Sequence, residues 1–253
     1  MQNINEYDTI ITVNEIKFHG GNSVENVLEA LKGKLVVSCQ ALADEPLCSP
    51  FVMGRMAKAA REGGAVAIRA QGACDVIEIQ RVTGLPVIGL VKRNYPDSEI
   101  YITATMYEVE ELLETRCEVI ALDMTDRRRP GGVEMEELVQ RIHSAGVLVL
   151  ADISTFEEGM KAAELGADAI STTLSGYTPY SPQLEGPDTE LVQKLSRALQ
   201  IPVFAEGRIN TPEDLQLVMK AGAYGAIVGS AITRPQLITA KFARAMQVSA
   251  AMR

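Results

Sequence analysis

Short apolar runs alternate along this chain with longer stretches whose apolar positions recur at helical spacing. The runs are Leu35 to Ser38, Val66 to Ala70, Val87 to Lys92, Val119 to Asp123, Leu148 to Asp152, Ala169 to Thr173, Val203 to Ala205 and Ala226 to Val228. Each is too short for a buried helix and reads as a parallel strand apolar on both faces. Between them, helices are expected over Phe51 to Gly63, Cys74 to Val82, Met106 to Glu114, Glu134 to Ala145, Phe156 to Leu165 and Thr189 to Leu199. A seventh starts at Thr211, with Pro212 in its first position and Asp214 in its third, an N-terminal capping pattern. Gly64-Ala65, Gly146-Val147, Gly166-Ala167 and Gly222-Ala223 punctuate the passage from helix to strand, as glycines do just past a helix end.

Eight strand–helix units close a barrel, and the expected fold is α/β, a (β/α)8 TIM barrel of the phosphate-binding type with an N-terminal capping segment. A doubly wound open sheet is the competitor, but no GxGxxG opens the first unit. The domain reading is an extension and capping helix over residues 1–33, with a helix over Val24 to Leu31, and a single barrel over residues 34–253. The first 20 residues carry no pattern that assigns them a role. The last two strands each end in glycine, at Glu206-Gly207-Arg208 and Gly229-Ser230. In such barrels the loops after strands 7 and 8 commonly hold a phosphate on backbone amides, and glycine lets the anion approach.

Composition narrows this picture. A 253-residue chain matches one barrel, and 47% hydrophobic residues suffice for its core. The net charge of −9 argues against a nucleic-acid surface. No run approaches a membrane span and no secretory signal is visible, so a cytoplasmic protein is expected. Cys39, Cys48, Cys74 and Cys117 lack metal-type spacing and are expected as free buried thiols. With His19 and His143 as its two histidines, the chain is expected to use no metal and no cofactor.

Function in this fold sits at the carboxyl ends of the strands. Those ends carry Gln40, Arg69, Lys92, Asp123, Asp152, Thr172, Glu206 and Gly229-Ser230. Polar residues open loops anyway, but so many ionisable groups at one barrel mouth must repel or be solvated unless a ligand uses them. Arg127 to Arg129, beside Pro130, read as a solvated loop, and Tyr177 and Tyr180 as either a lid or local loop packing.

The segments VSCQALADEPL, FVMGRMA, AIRAQG, GLVKRNY, EIYITAT, ALDMTDR, ADIST, STTLSGYTPY, EGRINTPEDL and VGSAITRPQ resemble, in order and from Leu35 to Phe242, the N-acylglucosamine-6-phosphate 2-epimerase family. That resemblance implies an isomerase that converts N-acylmannosamine 6-phosphate to N-acylglucosamine 6-phosphate by proton transfer at C2, in sialic acid and amino sugar catabolism. It implies Lys92 as the base at C2 and Glu206 as a second acid/base. Gln40, Arg69, Asp152 and Arg234 are then expected to bind substrate, Gln40 and Asp152 at the sugar hydroxyls or acylamino group and Arg69 at the developing oxyanion or the phosphate. Gly207, Arg208, Gly229 and Ser230 are expected on the phosphate, with Arg208 or Arg234 adding charge. Another phosphosugar isomerase on the same barrel, or a sensor that binds a sugar phosphate without turnover, stay open as alternatives; a sensor would not need Lys92 and Glu206 together. The expected partner is the small sugar phosphate, with no nucleic acid and no membrane. A homodimer is expected; Met53, Met56 and Ala57 or Phe242 and Met246 could form its face, and they suit core packing equally.

Overall fold

The computed structural model describes residues 25–251. The first 20 residues, read above as part of an extension, lie outside the described residues. The elements run α1 (Glu25–Ala30), β1 (Leu35–Cys39), α2 (Pro50–Glu62), β2 (Ala67–Gln71), α3 (Ala73–Thr83), β3 (Val87–Leu90), α4 (Met106–Leu113), β4 (Val119–Asp123), α5 (Met135–Ser144), β5 (Leu148–Asp152), α6 (Phe156–Glu164), β6 (Ala169–Ser171), α7 (Thr189–Ala198), β7 (Val203–Glu206), α8 (Pro212–Lys220), β8 (Gly225–Val228), α9 (Ser230–Thr233) and α10 (Pro235–Ala251). The eight strands are all parallel and close in sequence order, β8 pairing with β1 through Val36 and Ile227.

The period-2 pleat divides each strand between two cores. Val37, Ile68, Val87, Ile120 and Val149 face outward and pack against the helices. Val36, Ala67, Ile88, Leu150, Phe204 and Ile227 face inward and fill the barrel. Helix α1 closes the amino end: Val27 and Leu31 join the interior cluster, and the Gly33 amide donates to the Tyr224 carbonyl at 2.7 Å. At Gly225, opposite this plug, a Cβ would stand 3.0 Å from the Leu31 carbonyl oxygen and 2.9 Å from the Phe204 ring.

Three helices start with the same device. Thr105 with Glu108, Thr155 with Glu158 and Thr211 with Asp214 form reciprocal capping boxes on α4, α6 and α8. Two of these carboxylates do more than cap. Glu108 also pairs with Arg93 and accepts from the Tyr95 hydroxyl at 2.5 Å, which pins the loop after β3. Glu158 accepts from the Asp126 amide at 3.0 Å, the Ser154 amide at 2.8 Å and the Tyr180 hydroxyl at 2.6 Å, so one side chain holds the loops after β4, β5 and β6.

Several expectations are corrected. Strand β3 stops at Leu90, two residues short, because the excursion after it folds back: Ile102 bridges antiparallel to Lys92 and its carbonyl accepts from the Asp123 amide at 3.2 Å. Arg127 to Arg129 is not a solvated run. Arg127 pairs with Asp123 at 2.6 Å, and Arg129 is buried, donating to the carbonyls of Asp123 and Ala104; only Arg128 is exposed. The four thiols are free as expected, but Cys48 and Cys74 are exposed and only Cys39 and Cys117 are buried. Met53 and Ala57 pack in the helix–strand core, the second of the two readings open for them. The segment after β8 is two helices, and the second stands off the barrel: α10 exposes Phe242 and Met246 at 73% and 75%.

Candidate active site

Continuing each inward row past the interior core reaches the barrel mouth, and there the apolar rows turn polar. Ala67 is followed by Arg69, Leu90 by Lys92, Leu150 by Asp152, Ala169 by Ser171 and Thr173, and Phe204 by Glu206. Of these, Arg69, Lys92, Thr173 and Glu206 line a cleft of about 540 Å³ at the carboxyl ends of the strands.

Arg69 is the centre of the floor. It is 1% exposed, and its guanidinium grips Asp152 in a fork, Nη1 to Oδ1 at 2.9 Å and Nη2 to Oδ2 at 2.6 Å. The same Nη1 lies 2.9 Å from Glu206 Oε2. Thr173 Oγ1 stands 2.7 Å from Asp152 Oδ1 and 2.8 Å from Glu206 Oε2, with Ser171 Oγ at 2.8 Å. Asp152 is fully buried, does not line the cleft and has both oxygens engaged by Arg69. Removing one member of such a buried pair typically costs about 3–5 kcal/mol, because the other charge is left uncompensated.

Lys92 enters from the side. Burial pushes its amine down from the ordinary 10.5 to about 8; the positive charges of Arg69 and Arg234 push the same way, against Glu206 and Asp152. Burial pushes the Glu206 carboxyl upward; Arg69 opposes this and the Asp152 charge adds to it. The two groups are thereby shifted toward each other, the pattern of a site that exchanges protons near neutrality.

The opposite wall is the expected anion loop. Gly207 and Arg208 both adopt positive φ, +100° and +54°, turning the backbone after β7 into the cleft. Gly229 and Ser230 line it after β8, and a Cβ on Gly229 would stand 3.2 Å from the Ser38 Cβ. Thr233 Oγ1 donates to the Ser38 carbonyl at 2.7 Å, tying α9 to β1. Gln40 lines the cleft and donates to Ser38 Oγ at 2.7 Å. Arg234 lines it while pairing with Glu45 at 2.9 Å. The Arg208 guanidinium turns away, donating to the carbonyls of Ser175 at 2.6 Å and Gly186 at 2.9 Å, so this residue offers the cleft its backbone.

The pleat corrects one strand end. Thr172 points outward and its hydroxyl bridges the Glu206 amide and carbonyl at 3.1 and 3.0 Å; Thr173, one residue on, faces the cleft. Counting by two from Ala169 identifies it. Asp123 is likewise spent on Thr125 and Arg127 and does not line the cleft. Tyr101, carried in by the excursion after β3, does line it and had no periodic signal. Of the two loop tyrosines, Tyr177 lies at the cleft, with Arg208 over its ring at 5.8 Å, whereas Tyr180 is anchored on Glu158 away from it. Among the described residues no group of three or more histidine, cysteine, aspartate or glutamate side chains is arranged to hold a metal ion, and no helix is long and apolar enough to cross a membrane.

The NanE family model, described as N-acetylmannosamine-6-phosphate epimerase, matches residues 53–248. The chain belongs to this family. An N-acetylmannosamine-6-phosphate 2-epimerase of Clostridioides difficile is 61% identical over 223 residues, 88% of this chain and 100% of that one. A relative of the same name from Caldanaerobacter subterraneus is 51% identical over 219 residues, 86% and 92% of the two chains. The solved N-acetylmannosamine-6-phosphate 2-epimerase from Clostridium perfringens superposes with a TM-score of 0.86 at 58% identity, covering 89% of this chain and 97% of that one. The thiamine phosphate pyrophosphorylase of Pyrococcus furiosus, at 21% identity and a TM-score of 0.56, shares the fold with this member of the epimerase family.

Proposed function

We propose that this protein interconverts N-acylmannosamine 6-phosphate and N-acylglucosamine 6-phosphate by moving the proton at C2. The observation that carries this reading is Lys92 and Glu206 in one cleft, the amine shifted down and the carboxyl up, facing a wall of backbone amides. The C2 hydrogen is acidic only when C1 is an open-chain aldehyde. Ring opening moves the proton of the C1 hydroxyl to the ring oxygen, which a protonated Glu206 assists. Lys92, as the neutral amine, takes the C2 proton, and the electron pair moves onto the C1 oxygen as an enolate. The Arg69 charge beneath the floor favours that negative oxygen. Glu206 gives its proton to C2 on the other face, which inverts the centre, and the proton held by Lys92 returns to the Glu206 carboxylate through solvent. The Gly207–Arg208 and Gly229–Ser230 backbones hold the phosphate and Arg234 adds charge; Gln40 reaches the sugar. No metal or cofactor has a role in this scheme.

The relatives carry N-acetylmannosamine 6-phosphate in their names, which supports a place in amino sugar metabolism; the breakdown of sialic acids and a cytoplasmic location belong to the same proposal. A homodimer is part of the same reading: the exposed Phe242 and Met246 of α10 suit burial against a second copy. The test is turnover of N-acetylmannosamine 6-phosphate in deuterated water. An epimerase incorporates deuterium at C2 of product and recovered substrate; a protein that binds the sugar phosphate without incorporating it is a sensor, and the proposal fails.

A further inference from the structure

The polar floor contains more oxygen–oxygen contacts than its hydroxyl protons can serve. Thr173 Oγ1 has three oxygen neighbours: Asp152 Oδ1 at 2.7 Å, Glu206 Oε2 at 2.8 Å and Ser171 Oγ at 2.8 Å. Ser171 Oγ also lies 3.2 Å from Glu206 Oε2. A threonine hydroxyl carries one proton and accepts with its remaining lone pairs. It therefore serves one of the two carboxylates, and the contact with the other needs a proton from the carboxyl itself. Both Asp152 oxygens already accept from the Arg69 guanidinium in a two-pronged pairing, which leaves the carboxylate an acceptor for the Thr173 proton. Glu206 meets Arg69 through one oxygen only, and no hydrogen bond engages its Oε1 among the described residues. The proton balance closes when Thr173 donates to Asp152, Glu206 Oε2 carries a proton donated to Thr173, and Ser171 donates into the pair.

We propose that Thr173 is a positioning residue that keeps Glu206 a neutral acid at rest, by spending its single hydroxyl proton on Asp152 and accepting from Glu206. This rests on the proposed epimerase reading for its purpose, since a protonated Glu206 is what ring opening calls for, but the proton count stands on geometry alone. The ionisable groups facing Glu206 are Arg69 from β2, Lys92 from the loop after β3 and Asp152 from β5. Lys92 and Arg69 both favour an ionised Glu206. Asp152 and burial oppose them, and Thr173 tips the balance by offering the acid an acceptor.

The sign of the effect separates this role from a merely structural one. A hydroxyl that donates to Glu206 stabilises its anion, so its removal raises the pH at which Glu206 ionises. A hydroxyl that accepts from Glu206 stabilises the acid, so its removal lowers that pH. The experiment is infrared difference spectroscopy of the full chain against Glu206→Gln, titrated across neutral pH, for wild type, Thr173→Val and Thr173→Ser. Expected is a carboxylic-acid C=O band at neutral pH in wild type and Thr173→Ser that Glu206→Gln lacks. In Thr173→Val the band should titrate away about one unit lower, a tenfold change in the protonation ratio, and the alkaline limb of kcat should move down with it. No such band in wild type, or an upward shift in Thr173→Val, overturns the proposal. If Thr173→Val does not fold, the band in wild type and its retention in Thr173→Ser still decide, its absence from either overturning the idea. The band needs no turnover, so a protonated Glu206 in a protein without C2 exchange would sink the epimerase reading and leave the proton assignment intact.

Discussion

Lys92 joins function to stability through a single quantity. Its amine is brought from 10.5 to about 8 in the fold. At neutral pH about a tenth of the molecules then hold a neutral amine, some 300-fold more than an unshifted lysine would give. The rate should therefore rise about tenfold per pH unit below 8 and level off above it. Lys92→Arg keeps the charge but offers no neutral base, and should lose about 10²–10⁴-fold in kcat, together with deuterium incorporation at C2. The same shift weakens the fold. Between about pH 8 and 10.5 the unfolded chain holds a proton that the folded protein has lost, so stability rises with pH through that window. Below 8 both states are protonated and the folded state carries the whole penalty. At 1.36 kcal/mol per unit the shift amounts to about 3 kcal/mol, and the residual solvation of a partly buried amine reduces the realised value to about 1–3 kcal/mol. Lys92→Met, of similar length and uncharged, should gain that much in urea unfolding at neutral pH, and the gain should vanish above pH 10.5. Turnover should be abolished in the same variant. A Lys92→Met protein no more stable than wild type at neutral pH, or a Lys92→Arg enzyme with near-normal kcat, would refute the reasoning.

Other outcomes follow from the same geometry. Gly229→Val places its side chain against Ser38, whose Cβ is 3.2 Å from the first added carbon; KM for the phosphosugar should rise at least about tenfold, and an unchanged KM would put the phosphate elsewhere. Glu158→Ala releases three loops and leaves the buried Ser154 amide unpaired, so chemical denaturation should show a loss of about 2–4 kcal/mol. Dialysis against a strong chelator should leave turnover unchanged, and activity restored only by an added divalent ion would contradict a metal-free site.

The strand runs, the glycine punctuation and the cap at Thr211 made the barrel legible from sequence, because a closed parallel sheet repeats one local pattern and each unit satisfies its own backbone. The register β4 to β5, from Val119 opposite Leu148 to Asp123 opposite Asp152, spans the two strands whose limits sequence alone located. The position of Lys92, Glu206 and the two glycine turns at the barrel mouth was legible for the same reason: they sit where an apolar run ends. What each neighbouring polar side chain does was not legible, because that depends on partners far away in the chain. Asp152 meets Arg69 across 83 positions, and Thr173 meets Glu206 across 33. A strand-end aspartate reads alike whether it faces substrate or a buried guanidinium, and the difference lies in which strands the closure brings side by side. Arg129 shows the limit most plainly. In sequence it belongs to a run of three arginines beside a proline, and only tertiary packing over the Asp123 and Ala104 carbonyls makes one of them a buried strut while Arg128, one residue away, stays in solvent. Local propensity and the pleat determine the scaffold; long-range hydrogen bonding and charge pairing, which no short-range pattern encodes, decide which of its polar groups remain for chemistry.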